Sequence, residues 1–382
     1  MKNIAIIGAG ISGLYIANKF KDNKNYNVKI YEKKSQKEID EGYGVQLSVN
    51  SIKLLNNLGF DSLAEDEKFC PNKIDFYEIK NLKKICDLNI SEFNLVNSKY
   101  TTLKRSKLLN FLINGLEDGV INYNYSVNQI KYDKDLISLI FENGEKKTSD
   151  YLIISDGVFS KSKSLISNDK SKTIFDNSIA IRGNISRDYL DNISEKNISL
   201  FLGPKFHYVI YPMDKSHNFN FIGILRYKLT SIEQKNHNLF EKNFFIQNIK
   251  DKISNKISDI IFKNLQNLKL FPVFVSQNIY KAPKNIFAIG DALFAFPPSF
   301  AQGASQSIEG AHELYEDILN NTNNFYDKRL KRIKMINNRS NFNKFAFHLS
   351  NPFLILLRNN ILKFLTKNKK FLENYLGKIY KN

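Results

Sequence analysis

The sequence has 382 residues, of which 42% are apolar and 25% charged, and these values exclude disordered and fibrous proteins. No run approaches the roughly 18 apolar residues of a spanning helix. The formal net charge of +18 suggests a nucleic acid, an anionic membrane or an acidic substrate as partner. Residues 324–382 contribute +12, from 14 Lys and Arg against Asp327 and Glu373, so the remaining 323 residues carry only +6. The basic signal therefore belongs to the end of the chain, and we expect no nucleic-acid partner.

Cysteines and the N-terminal residues indicate the class of compartment. Cys70 and Cys86 are too few for a disulfide framework and lack the spacing of a metal cluster, so we expect no metal site. The apolar run at residues 4–7 is too short for the core of a signal peptide. Together these features predict a cytoplasmic protein.

The first 32 residues have the pattern of a strand, a turn, a helix and a second strand. Residues 4–7 predict a buried parallel strand, and residues 28–31 predict its neighbour. Between them lies a G-x-G-x-x-G turn, in which successive glycines allow a tight turn, the approach of a pyrophosphate and close helix packing. Glu32 follows the last glycine by 19 residues, where a carboxylate accepts hydrogen bonds from ribose hydroxyls and suits FAD or NAD rather than NADP. The cofactor-binding candidates here are Gly8, Gly10, Ser12, Gly13, Glu32 and Lys33.

A second motif near residue 290 favours a flavin. Gly290 and Asp291 follow a predicted strand at residues 286–289, where a carboxylate is suited to hold a ribityl chain. Residues 296–304 then lead through Pro297 and Pro298 into a helix that begins near Gly303 and Ala304. A positive helix end at the pyrimidine edge would stabilise an anionic reduced flavin.

Between these motifs, β-rich runs predict a second domain. The expected fold is α/β, with a Rossmann-like FAD-binding domain, an inserted mixed or antiparallel-sheet substrate domain and C-terminal helices. We predict the FAD-binding domain at residues 1–72, 100–177 and 270–345, and the sheet domain at residues 73–99 and 178–269. Residues 346–382 are predicted as basic amphipathic helices.

The order of these motifs resembles the single-component FAD-dependent aromatic hydroxylases, which share the fold of para-hydroxybenzoate hydroxylase. The resemblance covers about residues 1–350. Within it, the stretch from Gly42 to Ser48 and residues 207–212 are most similar to salicylate and 3-hydroxybenzoate hydroxylases. It is carried by the glycine motif with Glu32 and by residues 42–48, 103–108, 150–157 and 290–303.

The resemblance implies roles for further residues and a reaction. Arg105 would contact the phosphate–ribose region of FAD, Asp291 the ribityl chain, and Pro297 with Pro298 the flavin face where dioxygen reacts. Only one G-x-G-x-x-G motif exists, so NAD(P)H would visit transiently as a co-substrate. The implied enzyme is a monooxygenase that uses dioxygen to hydroxylate an aromatic or similarly electron-rich small molecule through a flavin hydroperoxide. The other implied FAD contacts are Val45, Gln46, Asp156, Gly157, Gly303 and Ala304.

The substrate residues are expected on the inserted sheet. His207 and Tyr208 are the candidates for contact with a phenolate or carboxylate, and the histidine could act as a general base. Arg182 could pair with an acidic substrate or form a salt bridge at the domain boundary.

Two alternatives stay open. Lys-rich amphipathic helices after residue 346 favour a flavoenzyme of quinone or isoprenoid metabolism, peripheral on the inner membrane face, although they could equally form a solvated cap. The other alternative is a non-catalytic flavin-binding protein. The sequence also leaves a homodimer open.

Overall fold

The computed structural model describes residues 1–39, 43–133, 136–166, 173–190, 193–216, 218–252, 263–279 and 281–381. Gly42, the first residue of one predicted motif, lies outside these described residues. The strands are β1 Lys2–Ile7, β2 Tyr26–Glu32, β3 Gly44–Leu47, β4 Lys68–Phe69, β5 Lys73–Glu78, β6 Lys84–Asn89, β7 Thr101–Lys104, β8 Ile121–Tyr123, β9 Val127–Asp133, β10 Leu136–Phe141, β11 Lys146–Ser149, β12 Tyr151–Ile154, β13 Thr173–Ser186, β14 Ile198–Gly203, β15 Phe206–Pro212, β16 Asn218–Arg226, β17 Gln266–Ser276 and β18 Ile286–Ala288.

The α-helices of the described residues lie at both ends of the chain and between the strands. The helix after β7 ends at Asn114, with Gly115 at its C-cap. The helices are α1 Ile11–Phe20, α2 Gln36–Ile39, α3 Val49–Asn56, α4 Arg105–Asn114, α5 Lys161–Ile166, α6 Asn243–Lys252, α7 Gly303–Asn320, α8 Phe325–Phe347, α9 Pro352–Leu365, α10 Lys369–Leu372 and α11 Lys378–Tyr380.

A five-stranded parallel sheet forms the first layer, in the order β18-β12-β1-β2-β8. Its central strands are continuous apolar runs, as strands covered on both faces must be, and Ile6 and Ile153 are fully buried. Helices α1, α4 and α7 contribute the other side of this core. The carboxyl ends of β1, β12 and β18 meet at one edge, where the glycine motif, Asp156 and Asp291 follow.

A seven-stranded mixed sheet forms the second layer, in the order β17-β13-β16-β15-β14-β5-β6, with the β14–β5 pair parallel and the other pairs antiparallel. Its strands come from the chain segments that separate the strands of the first sheet. The predicted α/β class with an inserted mixed sheet and C-terminal helices is confirmed. The exact boundaries of the two domains stay a prediction.

Helices α8, α10 and α11 pack in one apolar cluster with one face of the seven-stranded sheet. Ile336 and Phe347 of α8 are buried in this cluster, and Val209 and Ile222 of the sheet pack against it. The opposite face of the sheet packs on α6 in a separate aromatic-rich core that includes Phe201 and Phe221. No helix among the described residues combines the length and apolar character that crossing a membrane requires.

Candidate functional site

The glycine motif forms a tight turn between β1 and α1. Gly8 has a φ of +101°, and a Cβ there would lie 2.7 Å from the carbonyl oxygen of Ser155. A Cβ on Gly13 would lie 2.2 Å from the carbonyl oxygen of Gly8. A Cβ on Gly10 would instead meet only one atom, at 3.9 Å. Gly8 and Gly13 therefore allow close packing within the protein, while Gly10 leaves its backbone open to a ligand such as a pyrophosphate.

Two serines hold this turn in place. The Ser155 hydroxyl lies 2.9 Å from the carbonyl oxygens of Ile7 and Gly8, to which it donates. Ser12 packs against Gly290, where a Cβ would be 2.6 Å from the Ser12 Oγ and where φ is +60°. The sequence reasoning missed Ser155, although its place directly after β12, beside β1, was a signal that it would face the turn.

Glu32 is fixed at the end of β2 and points toward the same turn. Its Oε2 accepts a hydrogen bond from the Ala9 N–H at 2.8 Å, and its Oε1 accepts one from the Lys34 N–H at 2.9 Å. Each carboxylate oxygen keeps a second lone pair, which can accept a ribose hydroxyl. Lys33 is exposed beside it.

Asp291 and Arg105 bring opposite charges together beyond the edge of the first sheet. Asp291 is solvent-accessible, yet desolvation by the surrounding protein raises its pKa, while the positive charge of Arg105 opposes the rise. Burial and the nearby charge of Arg182 lower the pKa of Arg105, and Asp291 counteracts them. A carboxylate and two guanidiniums thus share one region, which can receive a ligand with hydroxyl and anionic groups.

The N-terminus of α7 and the residues before it form another side of the candidate cofactor site. Gly303 has no atom within 4 Å of its would-be Cβ, and Ala304 follows in the first turn. The buried Ser299 Oγ and Gln302 Oε1 have no hydrogen-bond partner among the described residues. Pro297 is buried and Pro298 begins a 3₁₀ turn over Pro298–Phe300. Open space, unsatisfied polar atoms and the positive helix end fit the polar edge of a flavin ring.

Strand β3 joins the two sheets. The Gly44 N–H donates to the Asn220 side chain at 2.6 Å, and a Cβ on Gly44 would lie 2.8 Å from the ring of Tyr211. The Gln46 side chain accepts a hydrogen bond from the Tyr100 hydroxyl at 2.8 Å and also interacts with Tyr211. Val45 packs at the edge of the first sheet's core. The predicted pair Val45 and Gln46 therefore lies between the two layers.

Asp156 and Gly157 lie at the carboxyl end of β12. Asp156 accepts hydrogen bonds from the backbone and hydroxyl of Ser162, at 3.2 and 2.8 Å, and so caps α5. Its other oxygen is buried without a partner among the described residues. Gly157 has a φ of +84° and open space at its Cβ position.

The face of the seven-stranded sheet that meets β3 is called the site face. Tyr211 pairs with Asn220, and Ile222 pairs with both Val209 and Arg182, so these five residues share it. Burial of the Tyr211 hydroxyl raises its pKa, and Arg182, Gln46 and Asn220 oppose the rise. Sequence reasoning missed Tyr211 and Asn220, although the two-residue period of β15 places 207, 209 and 211 on one face.

Arg182 lies half-buried on the site face with its guanidinium 5.8 Å from the centre of the Tyr43 ring. No carboxylate of the described residues forms an ion pair with Arg182. The alternative of a salt bridge at the domain boundary is therefore not observed among these residues. Burial lowers its pKa, with Tyr211 and Tyr43 opposing. A half-buried guanidinium without a carboxylate partner among the described residues favours an anionic ligand.

The two sequence candidates on β15 are not brought together. Tyr208 lies on the opposite face, stacked on Phe201 with ring centroids 4.4 Å apart, in the core that includes residues of α6. His207 is on the site face but is buried against α8, with its Nδ1 2.7 Å from His348 Nε2. Burial and His348 hold the pKa of His207 well below its usual value. The geometry thus places Tyr208 in the core on the opposite face of the sheet and places His207 in contact with His348.

The sequence and the fold of this chain match those of known proteins. The model of the FAD binding domain family matches residues 1–330, and the chain belongs to this family. That match agrees with the open Gly10 backbone, the Glu32 carboxylate and Asp291. Among the described residues no cluster of His, Cys, Asp and Glu could hold a metal ion.

Curated relatives are aromatic monooxygenases. The chain is 25% identical over 213 residues to 3-amino-4-hydroxybenzoate 2-monooxygenase PtnB3 of Streptomyces platensis, covering 55% of this chain and 53% of that protein. It is 24% identical over 342 residues to 6-methylsalicylate 1-monooxygenase atA of Aspergillus terreus, covering 81% and 73%. The match thus spans about half the length of the first of these relatives.

Solved structures share the fold. Klebsiella pneumoniae HpxO complexed with FAD and uric acid superposes with a TM-score of 0.81 at 15% identity, covering 98% of this chain and 95% of that one. A salicylate hydroxylase substrate complex gives 0.79 at 16% identity, covering 100% and 95%. These likenesses show that the shared fold includes both sheets and the final helices.

Proposed function

We propose that this protein is a FAD-dependent monooxygenase that hydroxylates a small aromatic carboxylate with NAD(P)H and dioxygen. The observation that carries the proposal is the half-buried Arg182, without a carboxylate partner among the described residues, on the face that meets β3 and Arg105. Relatives named for aminohydroxybenzoate, salicylate and methylsalicylate support the substrate class.

FAD, when bound, supplies hydride acceptance from NAD(P)H and the activation of dioxygen. Glu32 and the open Gly10 backbone would hold its adenosine and pyrophosphate, and Asp291 its ribityl chain. Arg105 would neutralise phosphate charge. Gly303 and Ala304 would meet the ring at the positive end of α7.

The substrate would lie between the site face and residues 296–300. Arg182 would bind the substrate carboxylate in a charge-assisted pair, because no carboxylate of the described residues pairs with this guanidinium. Val209, Ile222, Phe296 and Phe300 belong to one apolar cluster, which would exclude water from the aromatic ring. Tyr211, held by Gln46 and Asn220, would donate or accept a hydrogen bond at a ring substituent.

Anaerobic stopped-flow reduction of the purified holoprotein tests the proposal. NADH or NADPH should bleach the flavin absorbance, and an aromatic carboxylate such as salicylate should accelerate bleaching by about tenfold or more. Salicylamide is the matched neutral control and should accelerate it far less. Equal acceleration by the amide would contradict the role of Arg182, and a flavin that neither nucleotide reduces would favour a non-catalytic flavin-binding protein.

A further inference from the structure

Helix α9 carries its apolar residues on the outside. Six apolar side chains between residues 353 and 364 are exposed, and two of them, Phe353 and Phe364, expose 72% and 67% of their surface. The others are Leu354, Leu356, Leu357 and Ile361. They recur at helical spacing and form one stripe along the helix, here called the outer stripe.

Two polar residues of the same helix, Arg358 and Asn359, point the other way. Arg358 is 6% exposed and donates to the carbonyl oxygen of Ala346 at 3.3 Å and to the Asn359 side chain. Asn359 donates to the carboxylate of Glu78, which ends β5, at 2.6 Å. The inward side of the helix therefore combines these polar contacts with Leu362, which packs on the apolar cluster, while the outward side carries the larger apolar stripe.

This orientation does not follow from packing needs alone. An exposed stripe of six large apolar side chains exceeds the scattered exposure normal on a soluble surface and marks an interaction surface. The buried Arg358 and the half-buried Asn359 have specific hydrogen-bond partners, so the register of the helix is fixed. Turning it to bury the outer stripe would break these bonds.

The charges around the outer stripe indicate what covers it. Residues 352–372 contain no Asp or Glu. They hold five basic residues, of which four are exposed: Lys363 near the C-terminal end of α9, Lys367 in the turn after it, and Lys369 and Lys370 on α10. A second copy of this chain would bring the same positive charges and no acidic partner from this segment. An anionic lipid surface offers both an apolar interior and a compensating charge.

We propose that α9 is an interfacial membrane anchor that inserts its outer stripe among the lipids of an anionic bilayer, with the four lysines at the headgroups. The helix would lie in the plane of the surface, since no helix of the described residues is suited to span a bilayer. The proposal does not depend on the proposed reaction, because none of these residues belongs to the candidate site.

Co-sedimentation of the full chain with vesicles tests this anchor. Phosphatidylglycerol–phosphatidylcholine vesicles should retain the protein at low salt, and phosphatidylcholine alone should retain much less. The triple variant F353Q/L357Q/F364Q should bind about a hundredfold more weakly, because it removes exposed apolar surface without removing core packing. The matched control V96Q/I232Q changes exposed apolar residues elsewhere (94% and 81% exposed) and should bind like the wild type.

A second variant separates the contribution of the lysine charges to vesicle binding from that of apolar insertion. K363Q/K367Q/K370Q should lose about fivefold in partitioning for each lysine and should lose most of the salt dependence. FAD content and circular dichroism of each variant show that the fold is kept. Failure of the wild type to bind anionic vesicles would overturn the proposal. So would a wild-type dimer in sedimentation velocity that F353Q/L357Q/F364Q dissociates, since a second copy would then be the occupant.

Discussion

The two sheets differ in how their parts of the candidate site are built. On the five-stranded sheet, each candidate cofactor-binding group lies at or shortly after the end of a strand, so a local motif places it: the glycine turn after β1, Glu32 at the end of β2, Asp156 after β12 and Asp291 after β18. On the seven-stranded sheet, Arg182, Tyr211 and Asn220 meet only through the register of three strands distant in sequence. The proposed cofactor site is therefore built from short sequence motifs, and the proposed substrate site is built from long-range strand pairing.

Removing the Asp291 carboxylate should give the largest effect. We expect Asp291→Ala to purify without colour, because the site loses the carboxylate placed for the ribityl chain. The flavin absorbance per mole of protein measures this. Asp66→Ala, at an exposed aspartate, is the matched control and should stay yellow. A yellow Asp291→Ala protein with normal FAD content would contradict the role assigned on the first sheet.

Replacing Arg182 should weaken substrate binding on the seven-stranded sheet and leave FAD binding unchanged. Arg182→Gln is expected to raise the KM for an aromatic carboxylate by about tenfold to hundredfold, the value of a hydrogen bond to a charged group. FAD content should not change. Arg187→Gln is the control, since this guanidinium pairs with Glu195 at 2.6 Å away from the site face. If KM is unchanged in Arg182→Gln, another group binds the carboxylate.

Two glycines of one motif should respond differently to the same change. Gly13→Ala should lower the free energy of unfolding of the apoprotein by about 1–3 kcal/mol, because the new Cβ would overlap the Gly8 carbonyl. Gly10→Ala should leave that stability within about 1 kcal/mol and instead weaken FAD binding. Urea unfolding and FAD titration measure the two effects. Equal loss of stability in both variants would show that Gly10 serves packing alone.

His207 should influence stability and leave the pH dependence of the reaction unchanged. Burial lowers the pKa of His207 and lowers that of His348 to about 3, so both stay neutral in the folded protein when the pH falls below 6.5. The unfolded chain then binds more protons, and stability falls with decreasing pH by at most about 1.4 kcal/mol per pH unit for each histidine.

His207→Gln should therefore flatten the decline of unfolding free energy between pH 6.5 and pH 5, which is measured by urea unfolding. The pH profile of kcat/KM should keep its shape. Loss of one limb of that profile in the variant would restore His207 as a general base.

The sequence was sufficient for the fold class, the FAD family and the positions of the glycine turn, Glu32 and Asp291. At β15 the sequence predicts a joint role for His207 and Tyr208, but the structure places these neighbouring residues on opposite faces of the sheet. Pairing between β13, β15 and β16 cannot be obtained from a local pattern, so Asn220 was not recognised. For α9, periodicity predicted an amphipathic helix, but only the bonds of Arg358 and Asn359 show which side faces outward.

The fate of dioxygen tests the central proposal most directly. The holoprotein, supplied with NAD(P)H, an accelerating aromatic carboxylate and dioxygen labelled with heavy oxygen, should give a hydroxylated product that carries one labelled oxygen atom by mass spectrometry. A product labelled only from solvent water, or nucleotide oxidation that yields hydrogen peroxide with every aromatic carboxylate and no hydroxylated product, would contradict the assignment as a monooxygenase of aromatic acids.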